Sequence, residues 1–86
     1  MFIKATIIVV SQLSFAELES AWWDCDTLYQ QDKLINQEYV KCQTIDDEFR
    51  LYFKSVEDFN EYWNNYKLNQ WGKRGYQPDL ENYQKI

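Results

Sequence analysis

On either side of Asp46-Asp47 in Glu38 to Lys54, EYVKCQTIDDEFRLYFK, every second residue falls on one mostly apolar face, and the pattern predicts a β-hairpin turning at Asp46-Asp47. With those residues as the loop, Thr44 faces Phe49, Cys42 faces Leu51 and Val40 faces Phe53, so one side collects Val40, Cys42, Thr44, Phe49, Leu51 and Phe53 as a core face. Opposite it lie Tyr39, Lys41, Gln43, Ile45, Glu48, Arg50, Tyr52 and Lys54. A slip of one residue would mix the two sets, which specifies the register. Asp-Asp lacks the glycine that tight hairpin loops favour, although Asp tolerates left-handed backbone better than most residues.

Residues 2 to 10, FIKATIIVV, are β-branched and apolar and predict a buried strand. Ser14-Phe15-Ala16-Glu17 then matches a capping box, and a helix is expected behind it. At 100° per residue, Phe15, Leu18, Ala21, Trp22, Cys25, Leu28 and Tyr29 share one stripe of that helix. Trp23 falls roughly opposite, on a face shared with Glu19, Asp26 and Gln30. Ser55-Val56-Glu57-Asp58 starts a second helix with an acidic first turn, and Val56, Phe59, Tyr62, Trp63 and Tyr66 form its stripe. Asn64-Asn65 weakens this helix and Gly72 is its expected stop. The segment WGKRGYQPDLENYQKI is turn-rich and locally basic; in its last eight residues Leu80, Tyr83 and Ile86 keep helical spacing, and a short edge strand also fits.

The element order is therefore β, α, β, β, α. A helical crossover makes the first two strands parallel, and the third, antiparallel to both, lies between them in the order 1-3-2. The expected fold is α+β: a two-layer βαββα sandwich with a three-stranded sheet and both helices on one face. The element order over residues 2 to 70 resembles the first part of a ferredoxin-like βαββαβ pattern, without a sixth element and without a shared motif. The expected organisation is a single domain over residues 1 to 70, with residues 71 to 86 as a tail packing on it.

Four Trp, seven Tyr and five Phe in 86 residues supply enough apolar area for a small core, and one Pro and two Gly argue against long disorder. Fourteen acids against nine bases give a net charge of −5, which disfavours unspecific attraction to nucleic acid or an anionic membrane and suits a basic partner. The run Ala5 to Val10 is too short to span a membrane and has neither a charged leading segment nor a small-residue cleavage site behind it, so the expected location is cytoplasmic. Cys25 and Cys42 form no CxxC, and both fall on expected core faces; they read as buried free thiols, with a disulfide or a reactive thiol as the alternatives.

The chain has no histidine, its four serines lack a GxSxG context, and two glycines cannot build a phosphate or dinucleotide loop. No catalytic residue, cofactor or metal site is assigned, and the chain is not expected to be an enzyme. Asp24 and Asp26 lie about 160° apart on a helix and share no ligand. Asp46, Asp47 and Glu48 serve as a solvated turn rather than a cation site, and Glu57, Asp58 and Glu61 serve a helix start.

Two surfaces remain. On the outer face of the first helix, Trp23 stands among Glu17, Glu19, Asp24, Asp26 and Gln30; either the C-terminal tail folds over it, or the exposed indole ringed by carboxylates is an anchor for a basic protein surface. On the outer face of the sheet, Lys4, Tyr39, Lys41, Arg50, Tyr52 and Lys54 interleave bases with rings, as in RRM domains that stack single-stranded RNA, although FRLYFK lacks the RNP1 glycine and aromatic spacing. That face also suits a homodimer. The first expectation is a small acidic, non-catalytic interaction protein, an inhibitor that blocks a basic partner surface such as a nuclease groove. In composition it resembles phage accessory and counter-defence proteins and toxin-neutralising proteins. The alternatives are a single-stranded nucleic-acid binder and a small ferredoxin-like enzyme or ligand sensor with a cavity under its sheet.

Overall fold

Both serines expected to start helices do so in the computed structural model, which describes residues 13–78. Helix α1 spans Phe15–Gln30 behind a complete capping box: the Ser14 hydroxyl accepts from the Glu17 N–H at 3.1 Å, and the Glu17 carboxylate accepts from the Ser14 N–H at 2.9 Å. Another helix spans Val56–Lys73, with the Ser55 hydroxyl accepting from the Asp58 N–H and Glu57 and Asp58 at its positive end.

Between these two lies a third helix where the hairpin was expected. It spans Asn36–Arg50 and is α2, making Val56–Lys73 α3. The stretch carries a second periodicity beside the alternating one: Cys42, Ile45 and Phe49 recur at spacings of three and four, and this is the seam that folding buries. Two side chains decide the matter. Ile45, placed on the wet side of the hairpin, is 2% exposed, whereas Leu51, placed on its core side, is 77% exposed. Asp46 and Asp47 are mid-helix residues, not a turn, and Asp46 pairs with Arg50 one turn on at 2.9 Å. The α+β sandwich, its 1-3-2 sheet and the ferredoxin-like likeness are therefore wrong: the described residues form three helices and no strand. The strand expected over residues 2 to 10 and the spacing of Leu80, Tyr83 and Ile86 lie outside the described residues.

Helix α1 is the middle element, buried on two sides. Leu18 and Trp22 face α2, and Trp23 and Thr27, roughly a third of a turn away, face α3. At the centre Phe49 of α2 has no exposed surface and meets Phe15 and Trp22 of α1 and Phe59 and Tyr62 of α3, with ring centroids 5.4–6.2 Å apart. Cys25 and Cys42 are joined as a disulfide with a Cα–Cα distance of 5.7 Å, correcting the free-thiol expectation. In a helix Cys42 shares the seam of Ile45 and Phe49, so it meets the stripe of α1 that carries Cys25.

Helix α3 runs past Gly72, the expected stop, to a Schellman ending in which Gly75 takes φ +82°. The Tyr76 N–H reaches the Trp71 carbonyl, the Gly75 N–H reaches the Gly72 carbonyl, and the Tyr76 and Trp71 rings pack 5.4 Å apart. The same pattern ends α1, with Asp32 in the left-handed position at φ 60°. The expected boundary after residue 70 falls inside α3, and Trp71, assigned to the tail, is wholly buried. Among the described residues no helix is long and apolar enough to cross a membrane.

Candidate functional site

The face of α1 expected to meet a partner meets α3 instead. Trp23 is 0% exposed, so it is a core residue and not an exposed anchor. Its indole N–H donates to the Tyr62 hydroxyl at 2.9 Å, and that hydroxyl in turn donates to the Glu19 carboxylate. Burial and then the Glu19 carboxylate push the Tyr62 phenol well above its ordinary pKa. Asp26 accepts from two α3 indoles at one oxygen, Trp71 at 2.9 Å and Trp63 at 3.2 Å. Asp24 pairs with Arg74 at 2.7 Å, Glu17 is engaged in the helix cap, and Gln30 hydrogen-bonds Asp26. The carboxylates of this face therefore complement donors, but the donors belong to the same chain. A signal for this was present in α3: Tyr62, Trp63 and Trp71 each bring a polar hydrogen that needs an acceptor once the ring is buried.

The second expected surface is not assembled among the described residues. Tyr39 and Arg50 lie three helical turns apart on one side of α2, Lys41 projects from the other side, and Tyr52 and Lys54 follow the helix end. Tyr52 packs edge-on against Phe15 at 4.9 Å. Lys4 lies outside the described residues. Without a sheet, the basic-aromatic platform, the sheet-face dimer and the cavity beneath a sheet lose their structural basis.

What folding does bring together is a cleft of about 350 Å³ between α1 and α2. Exposed Tyr29 of α1 and Tyr39 of α2 line it with Trp22, and the disulfide forms part of its wall. Its acidic groups are Asp26 and Asp46. Asp46 accepts from the Trp22 indole at 2.8 Å and from the Arg50 Nε at 2.9 and 3.0 Å, so its charge is balanced. The Arg50 guanidinium also lies 4.2 Å from the Phe59 ring centre. Asp26 differs. The groups that hold it, Trp71, Trp63 and Gln30, are all neutral, and burial, partly offset by those hydrogen bonds and reinforced by the charge of Asp46, raises its pKa.

The chain matches no known protein family, no curated protein and no solved structure. Its chemistry is read from its own residues. Among the described residues no three His, Cys, Asp or Glu side chains group as metal ligands. Asp26 was singled out from the sequence for a different surface. Tyr29, Asp46 and the cysteines are read from the sequence in separate places, because their convergence needs Glu38 to Lys54 to be helical.

Proposed function

We propose that this protein is a non-catalytic interaction module that binds a partner with a basic surface, and that it does so at the α1/α2 cleft. The observation that carries this is a concave site lined by exposed Tyr29 and Tyr39, by the Asp26 carboxylate and by the Asp46–Arg50 pair. Tyrosines offer large contact area with little entropy to lose, and acids select a basic counterpart and speed its approach. The net charge of −5 reinforces that choice at long range. If the surface it covers is one the partner uses, such as the phosphate-binding groove of a nuclease, occupation inhibits it. A role as an accessory, counter-defence or toxin-neutralising protein follows the same logic. The disulfide favours an oxidising compartment over the cytoplasm as the place where binding happens.

A tagged pull-down from the native host, with nuclease added, tests the proposal when the captured protein is purified and titrated directly. We expect a basic protein whose affinity falls with added salt and drops at least tenfold for the Tyr29→Ala, Tyr39→Ala double variant, with helicity by circular dichroism unchanged. Both rings are exposed, so the fold survives their removal. Full affinity in that variant, or capture that vanishes with nuclease, removes the cleft from the function.

A further inference from the structure

We propose that the α1/α2 cleft is an arginine receptor: it takes the guanidinium of one arginine side chain presented by the basic partner, against the Asp26 carboxylate and between the Tyr29 and Tyr39 rings. This rests on the binding role proposed above and names the chemistry of its central contact.

Three observations converge on it. First, Asp26 is the unbalanced anion of the cleft. Its hydrogen bonds come from two indoles and an amide, which orient the carboxylate but, among the described residues, leave its charge without a counter-ion, while neighbouring Asp46 is already balanced by Arg50. A cation that enters relieves both the burial of that charge and its repulsion from Asp46. Second, the walls are aromatic on both helices, and ring faces attract cations while excluding water from around them. Third, a tyrosine-rich lining favours a planar cation. A planar guanidinium stacks on tyrosyl rings and donates through a fork, whereas an ammonium is compact, strongly hydrated and stacks poorly. The volume of about 350 Å³ leaves room for the guanidinium and the methylene stem behind it. The fold shows the same preference internally, because Arg50 satisfies Asp46 while its guanidinium lies over Phe59.

The test titrates the oxidised full chain with Nα-acetyl-arginine methylamide, its lysine analogue and its neutral citrulline analogue, following indole N–H signals by NMR. The expected result is saturable binding of the arginine compound that moves the Trp22, Trp63 and Trp71 indole signals, at least tenfold tighter than either analogue. Tyr39→Ala and Asp26→Asn should each weaken it at least tenfold. Asp26→Asn keeps an oxygen for both indoles, and exposed Tyr39→Ala serves if that variant fails to fold. No saturation, or citrulline binding equal to arginine, overturns the receptor; lysine binding equal to arginine overturns its guanidinium selectivity. If the captured partner depends on Tyr29 and Tyr39 but the arginine compound neither binds nor competes, the receptor falls and the interaction role stands.

Discussion

Asp26 is harder to ionise in the folded chain than in water, because burial strips its hydration and Asp46 repels the charge, while the Trp71, Trp63 and Gln30 hydrogen bonds recover only part of that loss. The consequence for stability has a definite sign. A carboxyl whose folded pKa lies above its ordinary value of 3.8 stabilises the fold most when protonated, and that contribution is lost as pH rises through the folded pKa. Asparagine at this position cannot ionise and still offers an oxygen to both indoles. The stability of the native protein minus that of Asp26→Asn should therefore decline as pH is raised from about 4 to 7. Denaturant unfolding of both proteins across that range measures it. The charged groups to hold constant are Asp46 and Arg50 on α2, and a difference that stays flat with pH would remove the burial argument.

Helix α2 is unevenly secured along its length. Its N-cap, Ile35, makes no side-chain cap, and no residue from Asn36 to Thr44 is buried, whereas Ile45 and Phe49 anchor the second half in the core. The Cys25–Cys42 bond is what ties the first half to α1. Closing a loop with a sequence separation of 17 is worth roughly 3 kcal/mol in the chain-entropy account. Reduction of the disulfide should lower stability by about that amount. It should also raise amide exchange selectively over Asn36 to Thr44, while α3 keeps its protection. Hydrogen exchange read residue by residue decides it, and a uniform rise across all three helices would contradict this division of α2. Since Tyr39 stands on the loosened half, the cleft depends on the bond as well.

At the scale of the whole molecule, three helices share one ring cluster, and Phe49 touches the other two elements at once. Phe49→Ala should cost about 3–5 kcal/mol. That is a large part of the 5–15 kcal/mol typical of a domain, so the variant should lose most of its cooperative melt. Leu51→Ala, by contrast, should change stability by no more than about 0.5 kcal/mol, because that side chain is 77% exposed. A hairpin would have made the two substitutions comparably damaging, since it placed Phe49 and Leu51 on one core face. Guanidinium unfolding of the pair separates the two architectures.

The contrast between these residues marks how far the sequence reaches. Helix starts at Ser14 and Ser55 were legible because a cap is settled within four residues, as was the stripe of α1 that carries Leu18, Trp22 and Cys25. The net acidity is a property of composition alone. Glu38 to Lys54 was not legible, since Cys42 and Phe49 satisfy the core face of a hairpin and a helical seam alike, and Ile45 is apolar on either assignment. Its choice was made at a distance, by Cys25, Trp22 and Phe59, which reward a helix that turns Cys42, Ile45, Asp46 and Phe49 to one side. The fate of the α1 carboxylates was decided likewise. Spacing put Glu19, Trp23 and Asp26 on one face, but only the packing of α3 determined that Tyr62, Trp63 and Trp71 would occupy that face, leaving Asp26 held by neutral donors beside the cleft.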